Sequence, residues 1–234
     1  MNILAIDTAT EACSAALTIN GELTSQYQLA PREHSRLILK MIDGLLVDAG
    51  IAVTDLDAIA FGRGPGSFMG LRIAAGVVQG IAFAHDIPVI PISSLKAIAQ
   101  RAYDETHINQ VAVAIDARMD EVYWATYKIN NQVWSLVGEE QVISPDKIDL
   151  PEILKQDGKN WVAAGTGWDS YADRLLPGGQ SQLCAVLADC LPSAEGIIKL
   201  AIGEFKAGNT VSAAEAIPVY LRNDVAKKPK AVIL

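Results

Sequence analysis

Residues 5–21 read AIDTATEACSAALTING: an apolar strand ending in Asp7, a short connection, and a second strand that closes at Asn20 and Gly21. Asn-Gly between alternating apolar runs is a strong signal for a two-residue hairpin turn. Residues 114–131 read AIDARMDEVYWATYKINN and repeat the order of strand, aspartate, strand and Asn-containing turn. The turn asparagine follows its aspartate by 13 positions in the first stretch and by 14 in the second. This recurrence predicts two related half-domains in one chain.

The segments around these two openings predict alternating strands and helices. A helix is expected over residues 34–49, and Gly50 stands where a left-handed residue closes a helix. A long apolar helix is expected over 66–84 and a later one over 193–206. The other strands of the first half are expected at residues 22–28, 58–62 and 88–92.

The repeat and the element order together predict an α/β protein of two tandem domains, each a mixed sheet with helices. A chain of 234 residues has room for two compact domains. We place the boundary at residue 108, which gives an N-terminal domain of residues 1–108 and a C-terminal domain of residues 109–234. The second domain is expected to be shorter and less regular, and its final segment to pack back on the first.

The charge balance argues against a large nucleic-acid-binding surface on this chain. Lys and Arg number 19 against 27 Asp and Glu, a net charge of −8, whereas such surfaces are basic. Any nucleic acid is therefore expected to be held by a partner. The N-terminus enters a strand without a signal-peptide pattern, and the apolar stretch 73–84 is shorter than the roughly 20 residues of a membrane span. These features predict a cytoplasmic protein without membrane contact.

Two halves that each open with a strand ending in aspartate and a hairpin resemble the actin, Hsp70 and sugar-kinase superfamily, whose domains are ribonuclease H-like. Within that superfamily the chain resembles the TsaB (YeaZ) family over almost its whole length. The stretch GRGPGSFMGLRI is the most specific part of this resemblance, because Asp-x-x-Thr after a strand occurs in many kinases. The matching stretches are residues 6–10, 34–35, 62–73, 87–95 and 218–222.

The resemblance implies a non-catalytic scaffold subunit in the synthesis of threonylcarbamoyladenosine (t6A) at adenosine 37 of tRNAs that read codons beginning with A. The transferase TsaD would be its heterodimer partner and the ATPase TsaE the third member of the complex. The isolated chain would be a homodimer, and tRNA would be contacted only through the complex. Two alternatives stay open: a small-molecule kinase or ATPase of the same superfamily, and a homodimeric regulatory protein. Protease activity is the least expected, since no Gly-x-Ser-x-Gly or His-Glu-x-x-His motif is present.

A weak nucleotide site is conceivable where the two aspartates flank a cleft. The glycine-rich loop before the helix at 66–84 lacks the lysine of a P-loop, and Ala9 stands where kinases of this superfamily have a glycine. We therefore favour a structural role, in which Gly66 permits an unusual backbone angle and Ser67 caps the helix. No cofactor is expected to be required, and ATP or ADP is expected to bind weakly at most. The candidate nucleotide residues are Asp7, Thr8, Thr10, Gly64, Gly66, Ser67, Asp116 and Gly165.

Metal binding and catalysis are not expected. TsaD carries a His-x-x-x-His pair at the start of the helix that follows an Ile-Pro-x-Ile-Pro strand, and this chain has Ser94 and Ile98 at those positions. Neither side chain replaces an imidazole ligand. The three histidines, His34, His85 and His107, are far apart in sequence. The sequence thus predicts neither a metal site nor catalytic residues.

Two helices of the first half carry more apolar surface than one core needs. In the helix at 66–84 the polar side chains are only Ser67, Arg72 and Gln79, and the apolar arc of the helix at 34–49 is roughly twice as wide as one core requires. Either both helices are enclosed by their own domain or a partner covers them. The resemblance implies pairing through these helices, with Arg72 and Gln79 near the rim. The candidate interface residues are Leu37, Met41, Phe68, Met69, Arg72, Ile73, Gly76 and Gln79.

The chain ends in a short basic cluster of Lys227, Lys228 and Lys230. Lysines at a chain end usually form a solvated tail. Direct contact of this cluster with tRNA is therefore not expected.

Overall fold

The structure is a computed structural model that describes residues 1–150, 160–177, 179 and 183–222. It contains two five-stranded mixed sheets with helices, which confirms the predicted fold class. The first sheet has the order β3-β2-β1-β4-β5 and consists of β1 Asn2–Asp7, β2 Ala12–Ile19, β3 Glu22–Leu29, β4 Ala58–Gly64 and β5 Val89–Ser93. The second has the order β10-β9-β6-β7-β8 and consists of β6 Gln110–Asp116, β7 Val122–Asn130, β8 Val133–Ile143, β9 Trp161–Ala164 and β10 Ala185–Leu187.

The two sheets repeat one topology. In each, the strand that ends in aspartate is central, pairs antiparallel with the strand that follows it and parallel with a later one. The third strand extends the antiparallel side and the fifth extends the parallel side. This agreement of order and direction is what the repeated opening of the sequence predicted.

The hairpin turns of the two halves are also alike. Asn20 and Gly21 join β2 to β3 with φ of 52° and 96°, and Asn131 and Gln132 join β7 to β8 with φ of 49° and 63°. Two consecutive positive φ values are typical of a type I′ turn, whose twist matches that of the flanking strands. The Asn-Gly signal therefore predicted the position of the first turn correctly. In the second half the turn begins at Asn131, one residue after the expected Asn130.

Six helices accompany the sheets in the described residues: α1 His34–Ala49, α2 Phe68–His85, α3 Ser94–Thr106, α4 Gly167–Ser170, α5 Ala172–Leu175 and α6 Ala194–Lys206. Gly50 closes α1 with a φ of 65°, as predicted. Ser67, Ser93 and Ser193 cap α2, α3 and α6, each accepting a hydrogen bond from the backbone N–H three residues later. The cap at Ser67 explains why α2 begins two residues after the expected start.

Two helices, α3 and α6, each pack on the sheet of the other half of the chain. Helices α1 and α2 cover one face of the first sheet, and α6, which follows the second sheet in sequence, covers the other face through Ile197 and Ile198. In contrast α3, which follows β5, packs on the second sheet through Leu95 and Ile98. Helices α3 and α6 also contact each other. A division of the chain at residue 108 therefore separates α6 from the sheet it covers.

The other face of the second sheet is covered by residues of the second half of the chain. Its core contains Trp124, Trp161 and Trp168, together with Leu150 and the short helices α4 and α5. All four tryptophans of the chain lie in this half, Trp134 of β8 being the fourth. Trp134 also packs against the core of the first half, so three of the four tryptophans report on the second half and the fourth on the contact between the halves.

Helix α2 is the one described helix long and apolar enough to span a membrane, with 18 residues and a mean hydropathy of 1.3. A third of it is buried inside the protein, where it packs on β4. Core helices of compact domains meet the same criteria.

The exchange of α3 and α6 predicts that the two halves unfold as one unit. Ile197 is fully buried against the first sheet, so Ile197→Ala should lower the free energy of unfolding by about 2–5 kcal/mol. Urea unfolding should show this shift equally by tryptophan fluorescence and by far-UV circular dichroism.

The matched control is Val133→Ala on β8, where the side chain is 70% exposed and a change within about 0.5 kcal/mol is expected. A fluorescence transition that stays in place in Ile197→Ala while the dichroism transition moves would contradict the coupling.

Candidate functional site

Asp7, at the end of β1, is closed off from the surface. Its side chain is fully buried, and its Oδ1 accepts a hydrogen bond from the Ala9 N–H at 3.0 Å. Its Oδ2 has no hydrogen-bond partner among the described residues and lies so close to Gly62 that a Cβ there would collide with it. Burial raises the pKa of this carboxyl from 3.8 to about 7, opposed by the hydrogen bond from Ala9. Asp7 therefore faces Ala9 and Gly62 of its own chain.

The turn after β1 lies directly against the start of α2. The Ser67 N–H donates to the Ala9 carbonyl oxygen at 2.7 Å, and the Thr8 hydroxyl donates to the Gly70 carbonyl oxygen at 2.7 Å. Phosphate-binding helices offer free N–H groups at this end. Here the Gly70 N–H donates to the Ser67 Oγ at 3.1 Å and the Leu71 N–H to the Ser67 carbonyl oxygen at 2.9 Å. These donors are satisfied within the chain.

The glycines of this loop act by allowing close approach, and one expectation about them was wrong. The positive φ, 111°, belongs to Gly64, whereas Gly66 has no unusual backbone angle. Gly66 is needed because a Cβ there would stand 2.5 Å from the Ala9 carbonyl oxygen. A Cβ at Gly70 would collide with the carbonyl oxygen of Thr8. The loop is shaped to fit the neighbouring turn.

In the second half, Asp116 is held by its own loop. Its Oδ1 accepts from the Arg118 N–H at 2.8 Å and from the Tyr171 hydroxyl at 3.4 Å. The Asp116 N–H donates to the Thr166 hydroxyl at 3.1 Å. Gly165 has a φ of 105°, and a Cβ there would collide with a carbonyl oxygen of β6. Gly165 thus supports close packing of the loop on the strand.

A cleft of about 400 Å³ lies between the two halves. The predicted nucleotide residues divide around it: Thr10, Gly66, Ser67 and Asp116 line the cleft, whereas Asp7, Thr8, Gly64 and Gly165 do not. The prediction missed other lining residues, among them Glu11, Arg118, Tyr123, Thr166, Tyr220 and Arg222. These residues belong to no nucleotide-binding motif. The signals in the sequence that could have identified some of them are closeness to Asp116 and membership of the stretch 218–222.

The cations of the cleft are already paired. Arg118 lies 3.4 Å from Asp116 and 3.9 Å from Glu11, and Arg222 lies 2.6 Å from Glu121. A phosphate would have to compete with these carboxylates for either guanidinium. The cleft therefore has little spare positive charge for a nucleotide.

Residues 219–222 cross the cleft and tie its sides together. The Val219 N–H donates to the Arg63 carbonyl oxygen at 2.8 Å, and Arg222 donates to the carbonyl oxygens of Ala117 and Arg118 at 2.9 and 3.2 Å. This strap joins the end of β4 to the loop after β6. The lysine cluster at 227–230 lies outside the described residues.

No metal cluster is found in the described ranges: nowhere do three His, Cys, Asp or Glu side chains come together. Ser94 and Ile98 are both fully buried, Ile98 in the core beneath the second sheet. His34 is buried with its Nε2 3.2 Å from the Ala12 carbonyl oxygen. His85 and His107 stand at the ends of α2 and α3.

An apolar stripe runs along the outside of α2. We call it the α2 face, and its residues follow one another by four, three, four and three positions, the spacing that keeps side chains on one line of a helix. Met69 and Phe83 are 64% and 84% exposed, and a Cβ at either glycine of the stripe would meet no atom within 4 Å. The α2 face consists of Met69, Ile73, Gly76, Gly80 and Phe83.

Two of the candidate interface residues are engaged inside the chain. Met41 is 7% exposed and belongs to the core of the first sheet, so its placement on an outer surface was wrong. Because the apolar arc on α1 is so wide, the sequence does not show which of its residues pack on the sheet. The Gln79 side chain donates to the Ala216 carbonyl oxygen at 3.1 Å, which places it under the returning chain.

The other candidates lie at or beside the α2 face. Phe68 is 52% exposed, and Arg72 stacks on its ring at 3.8 Å while donating to the Tyr220 hydroxyl at 3.2 Å. Leu37 on α1 is half-buried. Phe83 was missed, although its position seven residues after Gly76 and 14 after Met69 was visible in the sequence.

The buried carboxyl of Asp7 predicts a distinctive pH dependence. Its pKa is raised in the folded state, so the folded chain holds this proton to a higher pH than the unfolded chain. The contribution to stability is full below about pH 4 and is lost as the pH rises to about 7, by on the order of 4 kcal/mol. Asp7→Asn should be more stable than the parent at pH 8, and the difference should shrink toward pH 4.

Urea denaturation at several pH values measures this difference, with Asp43→Asn on the exposed side of α1 as the matched control. If Asp7→Asn is less stable than the parent at pH 8, the carboxyl is ionised and held by interactions other than those described.

Comparison with known proteins places the chain in a family. A family model described as TsaD, tRNA N6-adenosine threonylcarbamoyltransferase, matches residues 22–232. The tRNA threonylcarbamoyladenosine biosynthesis protein TsaB of Escherichia coli K12 is 44% identical over 97% of this chain and 97% of its own length. The protein of the same name from Haemophilus influenzae is 41% identical over 97% of this chain and 96% of its own.

The solved structures agree with the sequence matches. YeaZ from Pseudomonas aeruginosa is 46% identical, with a TM-score of 0.87 over 94% of this chain and 99% of its own. A second structure from that organism, of a protein described as similar to the peptidase YeaZ, has a TM-score of 0.88 at the same identity. The chain belongs to the TsaB (YeaZ) family of tRNA threonylcarbamoyladenosine biosynthesis proteins.

Proposed function

We propose that this chain is a non-catalytic scaffold subunit that binds the transferase TsaD through the α2 face. In this role it supports the threonylcarbamoylation of adenosine 37 in tRNAs that read codons beginning with A. TsaE is the third member of the complex, and tRNA is held by the complex as a whole. The proposed location is the cytoplasm, and a second copy of the chain occupies the α2 face in isolation.

The α2 face is the observation that carries the proposal. Met69 and Phe83 are exposed at the two ends of the stripe, and Ile73 between them is half-buried against the core. Exposed apolar patches on a folded protein mark interaction sites, and an apolar helix face packs well against another helix. Gly76 and Gly80 add no side chain, so a partner helix can approach the backbone closely. Arg72 and Tyr220 stand beside the stripe as polar groups suited to a rim. The face thus has an apolar centre and a polar edge.

The closed turn at Ala9 supports the non-catalytic part of the proposal. A superfamily kinase needs space for phosphate between this turn and the helix that follows, and here Ser67 and Gly70 bond the turn directly. Asp7 is enclosed, and burial raises the pKa of its carboxyl to about 7. No cofactor is required in this account, and ATP or ADP would bind only weakly in the cleft.

The rival function is a small-molecule kinase or ATPase that uses the cleft. Its supporting observation is that Thr10, Ser67 and Asp116 line one cavity between the two halves. Calorimetry of the isolated chain with ATP and magnesium separates the two accounts. Tight binding with hydrolysis by the purified chain would establish the rival.

Charge placed on the α2 face should abolish pairing. Ile73→Asp and Phe83→Asp each bring a carboxylate into an apolar contact, where an unpaired charge is strongly unfavourable. Both variants should run as single chains in light scattering and should fail to co-purify with TsaD. Val133→Asp, at an exposed apolar residue of β8, is the control and should pair as the parent does.

Circular dichroism establishes that the variants are folded. If folded Ile73→Asp and Phe83→Asp keep the mass of the parent and still bind TsaD, the α2 face is not the interface. Cells depleted of the protein should lose t6A from tRNA, and the two variants should fail to restore it while Val133→Asp restores it.

A further inference from the structure

A second cavity, of about 500 Å³, lies away from the α2 face and receives walls from both halves of the chain. Its volume is in the range of small-molecule pockets, about 300–1,000 Å³. The first half contributes the ends of β4 and β5, and the second contributes β7 and β8. The exchanged helices α3 and α6 supply Lys96 and Glu204. A ligand here would contact strands of both sheets and the helices α3 and α6.

Most charged and polar groups of the cavity are paired. Lys96 donates to Glu204 at 3.2 Å, and Asn209 donates to the other oxygen of that carboxylate at 2.8 Å. The hydroxyl of Tyr127 donates to Glu140 at 2.5 Å. These contacts neutralise the charges of Lys96 and Glu204 but leave the negative charge of Glu140 without a cation.

Arg63 is the one cavity cation without a partner in the described part of the chain. Its Nε is buried and makes no hydrogen bond, and no ion pair joins it to Glu140 among the described residues. Burial raises the pKa of the Tyr127 hydroxyl, a rise that Glu140 increases and Arg63 reduces. Both charges therefore act on one hydroxyl while remaining apart, and Arg63 also helps to lower the pKa of Glu204 after the larger effects of Asn209 and Lys96. The Nε itself is closed to solvent, so a ligand in the cavity would meet the terminal nitrogens of the Arg63 guanidinium.

We propose that this cavity binds a small zwitterion, an α-amino acid, with its carboxylate on the Arg63 guanidinium and its ammonium group on Glu140. Arginine is suited to a carboxylate because its N–H groups match the two oxygens. Glu140 has acceptor capacity beyond the hydroxyl of Tyr127. Each end of the ligand pairs with one of the two charged groups that make no ion pair among the described residues.

The walls between these charges suit an apolar amino-acid side chain. Pro91 and Ile92 line one side, and Trp134 and Leu136 line the other. Trp134 is fixed by a hydrogen bond from its Nε1 to Gln100 at 2.8 Å. A leucine-sized side chain therefore fits the chemistry of the cavity, and this inference is independent of the function proposed for the α2 face.

Calorimetry on the full chain at pH 7 tests the proposal with three probes. L-leucine carries both charges, leucinamide lacks the carboxylate, and N-acetyl-L-leucine lacks the ammonium group. L-leucine should bind the parent at least about tenfold more tightly than either derivative, a difference of about 1.4 kcal/mol.

Two variants separate the roles of the two charges. In Arg63→Gln the preference for L-leucine over leucinamide should vanish, and in Glu140→Gln the preference over N-acetyl-L-leucine should vanish. Arg36→Gln, at an exposed arginine of α1, should keep both preferences. If Arg63 had a purely structural role, Arg63→Gln would lower the affinity for all three probes alike and leave the preferences for L-leucine unchanged.

Three results would overturn the proposal. The first is no heat of binding from L-leucine on the folded parent. The second is equal binding of L-leucine and N-acetyl-L-leucine by the parent, which would make the cavity a carboxylate site only. The third is unchanged preferences in both folded variants.

Discussion

The contact between the turn after β1 and the first turn of α2 is the constraint on which the rest of the structure depends. Ser67 donates to Ala9 and Thr8 donates to Gly70, both at 2.7 Å. The contact fixes the start of α2 on the sheet and engages the Ser67 N–H at the end of the helix where phosphate-binding helices offer free donors. It also leaves the outer side of α2 uncovered by the described residues of this chain. One local contact thus closes the turn against α2 and sets the position of the apolar helix face.

The exchange of α3 and α6 makes the molecule a single body. Kinases with two related domains close their cleft by rotating one domain on the other. In this chain α6, which follows the second sheet in sequence, packs on the first sheet, and α3, which follows the first sheet, packs on the second. Residues 219–222 also cross the cleft, from Arg63 on one side to Ala117 on the other. Such connections oppose rotation. A rigid body suits the scaffold role that we propose.

Local signals in the sequence predicted local structure well. The Asn-Gly turn, the closing glycine at Gly50 and the serine cap at Ser67 act through their own backbone neighbours, and each lies where it was expected. The second strand that ends in aspartate is likewise a local pattern, and it predicted the second sheet correctly. The packing of α6 on the first sheet was only loosely foreseen, because it depends on contacts between residues far apart in sequence.

The candidate sites were predicted less completely than the fold. Apolar periodicity shows how wide a helix surface is but not which side meets the sheet, so Met41 was assigned outward and Phe83 was missed. The role of Gly66 was misread because a glycine needed for close approach looks the same in sequence as one needed for its backbone angle. The unpaired charges of Arg63 and Glu140 had no sequence signal, since they meet only through the fold.

The central claim is that a partner covers the α2 face, and thiol labelling tests it most directly. In Phe83→Cys the new thiol stands in the α2 face, while Cys184 is exposed in the other half and Cys13 and Cys190 are buried. Addition of TsaD should slow labelling at position 83 and leave the labelling of Cys184 unchanged. Labelling at position 83 that is as fast in the complex as in the isolated chain would contradict the account.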